Sequence, residues 1–149
     1  MGQHRATWPH LHMGTGGGWA TAFRSCFRQQ PFPGLHQVRS LRIPVFDDPV
    51  EDLYKYFEQC SNAIEDTARS GGKCLVYCKN GRSRSAAICM AYLMRHQNLT
   101  LQDAFETVKT ARPGVEPNAG FWSQLQRYEE HLQMQHPLGY SSKKKISSK

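Results

Sequence analysis

Acidic residues are absent from positions 1–46, and no apolar run in the 149-residue chain exceeds the nine residues 86–94. A membrane span needs about 20 apolar residues, so none is expected. No basic start leads into an apolar stretch with a cleavage site, so a secretory leader is not expected either. Gly2 follows Met1 as in a myristoylation site, but Ala6 stands where Ser or Thr is required. Cysteine is sparse: Cys26, Cys60, Cys74, Cys78 and Cys89 make an odd number. A chain of this length needs no disulfide staples, so reduced thiols and an intracellular, cytoplasmic protein are expected. The seven histidines form no HExxH and no pairing with cysteine at zinc spacing, which argues against a metal site. No internal repeat is present.

What is there fits one domain with a genuine core. Apolar residues make up 39% and charged residues 21% of the chain, which excludes collagen-like and low-complexity classes. The formal charge of +7 suggests nucleic acid until its distribution is read. Residues 1–46 hold five Arg, and residues 143–149 hold four Lys with no acid. Residues 47–142 carry ten Lys and Arg against all twelve acids, a net of −2. Charge gathered at the two ends favours solvated termini over a basic binding face. Neither a nucleic-acid nor a membrane partner is expected. The Lys143–Lys145 run leaves nuclear entry as an alternative.

Residues 1–28 show poor periodicity and three consecutive glycines, Gly16 to Gly18, and are expected to be flexible. A short strand is expected near Leu41–Val45. Asp48, Pro49 and Glu51 predict a helix start with Asp48 as cap. Leu53, Phe57, Cys60 and Ile64 follow at helical spacing, and Ser70-Gly71-Gly72 stops the pattern. Cys74-Leu75-Val76-Tyr77 reads as a buried strand. Residues 85–95 read as a second helix. Thr100 with Asp103 caps a third, and Asn118 caps a fourth with the stripe Phe121, Leu125, Tyr128 and Leu132. Strands alternating with helices predict an α/β fold with a central, mostly parallel sheet flanked by helices.

The segment Cys78-Lys79-Asn80-Gly81-Arg82-Ser83-Arg84-Ser85 joins the buried strand to the second helix. A Cys followed six residues later by Arg means little alone, but the context is informative. The carboxyl edge of a sheet is where α/β folds bind ligands. A glycine-containing loop running into a helix N-terminus presents inward N–H groups and the positive end of the helix dipole. Such surroundings favour a thiolate at Cys78. The same cradle suits a phosphoryl dianion, with Arg84 gripping two of its oxygens in a planar fork. In-line attack of sulfur on phosphorus would follow. Ser85 would then stabilise the sulfur as a leaving group. A leaving alkoxide needs a proton, and Asp47 can supply it if its strand ends at the same edge; Asp48 is already used as a cap.

Together with Ile43-Pro44-Val45-Phe46-Asp47, Ala91-Tyr92-Leu93-Met94, Ala111-Arg112-Pro113 and Pro117-Asn118-Ala119-Gly120-Phe121, these residues resemble the atypical dual-specificity phosphatases of the cysteine-dependent tyrosine phosphatase superfamily. The resemblance implies Cys78 as nucleophile, Arg84 as phosphate clamp, Asp47 as general acid and Ser85 as leaving-group helper. It also implies a phosphate-binding loop over residues 79–84, no metal and no cofactor. The expected substrate is a phosphorylated protein or a small aryl phosphate, and the expected state is a monomer. The expected organisation is a divergent segment 1–28, a catalytic domain 29–136 and a basic tail 137–149. The family's strand, helix and strand before residue 29 have no counterpart here. Family members usually carry His before the nucleophile, where this chain has Tyr77. A neutral phenol there implies weak activity, with a feeble phosphate-binding scaffold as the rival reading.

Overall fold

The computed structural model describes residues 5–8, 11–15, 21–26, 38–78 and 82–135. Five strands form one sheet: β1 (Arg5–Trp8), β2 (Leu11–Thr15), β3 (Thr21–Cys26), β4 (Val38–Ile43) and β5 (Lys73–Cys78). Their spatial order is β1-β2-β5-β3-β4. Four helices accompany them: α1 (Tyr54–Arg69), α2 (Arg84–His96), α3 (Leu101–Ala111) and α4 (Ala119–Gln135). Among the described residues no helix is long and apolar enough to cross a membrane.

The flexible segment expected over 1–28 needs correction where it is described, because β1, β2 and β3 lie within it. The physical reason is tertiary. A central strand such as β5 must satisfy its N–H and C=O groups on both edges, and strand formation depends on such partners more than on local propensity. β2 fills one edge in parallel and β3 the other in antiparallel register. The remaining residues of 1–28 lie outside the described ones, as does the basic tail 137–149. Among the described residues no helix precedes β4.

Strands β2, β4 and β5 run one way and β1 and β3 run against them, so β2 and β5 pair in parallel while β1–β2, β3–β5 and β3–β4 pair antiparallel. The sheet is mixed in place of the mostly parallel one expected, because β3 and β4 are too close in sequence for the crossover of a dozen or more residues that a parallel pair needs. The register then fixes where the site forms. Ala22 of β3 pairs with Tyr77 on one side and Arg42 on the other. Ile43 is therefore level with Cys78, two strands away, or about 10 Å at the usual strand spacing. The chain leaves both strands at the same sheet edge.

In β5, Cys74, Val76 and Cys78 are buried while Leu75 is half-buried, the period-two pattern of a strand with one face on the core. α2 lies at the centre of the helical layer. It packs on β5 and β2 and against α1, α3 and α4, and every residue from Arg84 to Met94 is buried. Such a helix reads as apolar all round, which is why 86–94 is the longest apolar run. Phe57, Tyr54 and Tyr128 meet ring to ring at 5.2–5.7 Å and join α1 to α4.

The helix ends show local and distant control. Thr100 Oγ1 accepts from the Asp103 N–H at 3.1 Å, as its spacing predicts. α1 begins at Tyr54 instead of near Pro49. Asp48 Oδ1 accepts from the Val50 N–H at 3.1 Å in a tight turn. The first N–H groups of α1 are met from α4: Gln124 Oε1 accepts from Leu53 N and Tyr54 N at 2.9 and 2.8 Å.

Candidate active site

Alternation along β5 sends Cys78 to the core face, beneath the first turn of α2. Its Sγ lies 3.3 Å from Ser85 Oγ and accepts the Ser85 N–H at 3.4 Å. First-turn N–H groups have no acceptor within their own helix. Here one of them ends on sulfur, at the positive end of the α2 dipole. Only 2% of Cys78 is exposed.

Arg84, the first residue of α2, is also buried. Its Nη1 donates to the Val45 carbonyl at 3.1 Å, tying the α2 terminus to the segment that follows β4. Its Nε is buried with no hydrogen-bond partner among the described residues. A buried donor left unmet costs about 1–3 kcal/mol, more on a charged group. An oxyanion accepting from this nitrogen would remove that cost.

The rest of the expected loop is seen in part. Lys79, Asn80 and Gly81 lie outside the described residues, as does the Tyr77 side chain; the Tyr77 backbone pairs with Gly14 and Ala22. Arg82 is exposed, and its carbonyl accepts from the Glu116 N–H at 2.8 Å. Ser83 is buried; its carbonyl accepts from Ala87 N at 2.9 Å, and its Oγ accepts from Asn118 N at 2.9 Å.

Asp47 is exposed beyond the end of β4. Its Oδ1 accepts from Asn118 Nδ2 at 2.9 Å. The same Asn118 caps α4, its Oδ1 accepting from Phe121 N at 2.8 Å. The spacing of Asn118 ahead of Phe121 predicts the cap but not the contact with Asp47, because that partner is 71 residues away.

Two other thiols differ sharply from this setting. Burial pushes the Cys60 thiol up to about 12. Burial, together with the nearby Cys74, Cys78 and Cys60, raises Cys89 well above the ordinary range. Cys60 lies in the interior of α1 and Cys89 in the interior of α2, away from either helix terminus.

Comparison with known proteins places this arrangement in a family. The dual specificity phosphatase catalytic domain model matches residues 25–131. Over 108 residues the chain is 64% identical to human dual specificity phosphatase 28, covering 72% of this chain and 61% of that protein. The chain thus spans under two thirds of that relative's length. A mouse putative dual specificity phosphatase, solved in complex with zinc tungstate, superposes with a TM-score of 0.76 at 47% identity, covering 91% of each chain. A human tyrosine phosphatase-like serine/threonine/tyrosine-interacting protein superposes at 0.67 with 27% identity, covering 86% of this chain and 96% of that one. The chain belongs to the dual specificity phosphatase family.

Proposed function

We propose that this protein is a cysteine-dependent phosphatase that hydrolyses phosphate monoesters through a cysteinyl-phosphate. Aryl phosphate or phosphotyrosine is the primary substrate, with phosphoserine and phosphothreonine as further ones. The observation that carries the reading is Cys78 Sγ held by Ser85, the residue after Arg84, whose Nε is buried with no hydrogen-bond partner among the described residues. The mouse neighbour's complex with tungstate, a tetrahedral oxyanion like phosphate, supports it.

In the first step the Cys78 thiolate attacks phosphorus in line, forming S–P as the ester P–O bond breaks. Arg84 binds the equatorial oxygens through its planar fork. Lys79, Asn80, Gly81, Arg82 and Ser83 complete the phosphate loop. Asp47 gives its proton to the departing oxygen. In the second step the Asp47 carboxylate takes a proton from water, whose oxygen attacks phosphorus. The S–P bond breaks, and the Ser85 hydroxyl donates to the sulfur that leaves. A positioned acid contributes about 10²–10⁴ in rate. The free thiols Cys60, Cys78 and Cys89 support the cytoplasm as the working compartment.

Tyr77 tunes this site downward, because a phenol near neutral pH offers no positive charge to the loop. Tyr77→His is expected to raise turnover of an aryl phosphate. Equal or lower turnover would overturn that part of the reading. The same residue favours a second reading, a phosphate-binding scaffold with feeble turnover, and the phosphatase-like neighbour supports it. Steady-state hydrolysis by wild type and Cys78→Ser separates the two. Activity lost with Cys78 indicates the enzyme, whereas phosphopeptide binding without wild-type turnover indicates the scaffold.

A further inference from the structure

Asp47 stands on an exposed segment with no helix or strand of its own, yet a general acid must be held within hydrogen-bond reach of the leaving oxygen, about 2.6–3.2 Å. The start of α4 supplies the missing rigidity. Gly120 abuts Pro49 so closely that an added Cβ would fall 2.0 Å from the Pro49 carbonyl oxygen. Gln124 Nε2 donates to the Glu51 carbonyl at 2.9 Å, and its Oε1 takes the Leu53 and Tyr54 N–H groups. These contacts hold the segment on its far side. On its near side Arg84 holds Val45. Between the two anchors, Asn118 bonds the Asp47 carboxyl itself.

The amide orientation of Asn118 follows from its partners. The Phe121 N–H requires an oxygen, so Oδ1 faces α4 and Nδ2 faces Asp47. An Oδ1 that accepts from Nδ2 leaves the Asp47 proton on Oδ2. The Asn118 backbone N–H meanwhile donates to Ser83 Oγ, one residue before Arg84. One residue thus spans the acid, the α4 terminus and the start of α2.

We propose that Asn118 is the positioning residue for Asp47: it selects the oxygen that carries the proton and fixes it relative to the phosphate held by Arg84. This rests on the phosphatase reading above and assigns no chemistry to Asn118 itself. Asn118→Ser tests it, because Ser still caps a helix but has no amide donor for Asp47. Its readout is kcat/KM on two substrates, which reports on the first step alone and leaves out the hydrolysis step that both share. Phenyl phosphate has a basic leaving group that needs a proton, and a strongly electron-withdrawn aryl phosphate has one that does not. Asn118→Ser is expected to lower kcat/KM on phenyl phosphate roughly tenfold, part of the ~10²–10⁴ due to the acid, with a change under about twofold on the other. Adding Asn118→Ser to Asp47→Asn is expected to cost nothing more. Equal losses on both substrates, no loss on either, or additive losses in the double variant would overturn the proposal. If wild type turns over neither substrate, the phosphatase reading falls and takes this one with it. Asn118→Asp, which also keeps the cap but sets a carboxylate against Asp47, is expected to show the same selective loss should the Ser variant fail to fold.

Discussion

At the residue scale, the thiols divide by what surrounds them. Cys60 and Cys89 are fully buried and held as thiols by that burial, whereas Cys78 meets the Ser85 hydroxyl and the Ser85 N–H in the first turn of α2. Iodoacetate at neutral pH is therefore expected to alkylate Cys78 in the folded protein well before Cys60 or Cys89. Peptide mapping of the modified protein checks this, and comparable labelling of Cys60 would contradict it. In the proposed mechanism Ser85 acts on the second chemical step, where sulfur departs. Ser85→Ala is expected to accumulate cysteinyl-phosphate and to show a burst of released phenol followed by turnover lowered about 10–100-fold. Stopped-flow kinetics reads both phases, and a uniform loss with no burst would assign Ser85 another role. The cysteine, arginine, serine and acid are legible in the sequence, because their signal is spacing along one loop and at one strand end. Asn118 is half legible: its cap follows from position, but its hold on Asp47 is a long-range contact with no local signature.

At the element scale, the helices whose starts are coded locally match expectation. The Thr100 and Asn118 caps lie where their spacing predicts. α1 does not, because its start is set by Gln124 from another helix. Gln124→Ala would strip acceptors from the part-buried Leu53 and Tyr54 N–H groups and is expected to cost about 1–3 kcal/mol. Urea unfolding measures it, and a loss near zero would mean water replaces the amide. The strands before residue 27 are illegible for a related reason. They exist as partners for β5, and a sequence window records no partner. The direction of β3 carries a consequence for the site: by opposing both β4 and β5 it makes those two parallel, so Asp47 and Cys78 emerge at one edge.

At the scale of the whole molecule, α1 and the C-terminal turns of α2 share a half-buried polar network. Tyr92 Oη donates to Glu65 at 3.1 Å, His96 lies 4.0 Å from the same carboxylate, and Arg95 bonds Glu58 and Asn62. Burial lowers the His96 pKa below its ordinary 6.5, outweighing the pull of Glu65. Burial opposes ionisation of Glu65, but hydrogen bonds from Arg69 and Tyr92 and the charges of His96 and Arg69 leave its pKa below 4.5. Both groups bind protons more readily unfolded than folded, so their stabilisation is present at neutral pH. That of His96 fades as pH falls from 6.5, and that of Glu65 as pH falls below 4.5. The urea midpoint is expected to drop between pH 7 and pH 5, and His96→Gln is expected to flatten that drop. An unchanged slope in the variant would remove His96 from the account.

The central claim is that sulfur of Cys78 takes the phosphoryl group. Acid-quenching the Ser85→Ala variant during turnover of an aryl phosphate, then mapping phosphate by mass spectrometry, addresses it without intermediaries. The account predicts phosphate on the peptide carrying Cys78 and none in the same variant bearing Cys78→Ser, which no longer turns over. Turnover that persists without Cys78, or a phosphoryl group found on any other side chain, would contradict it.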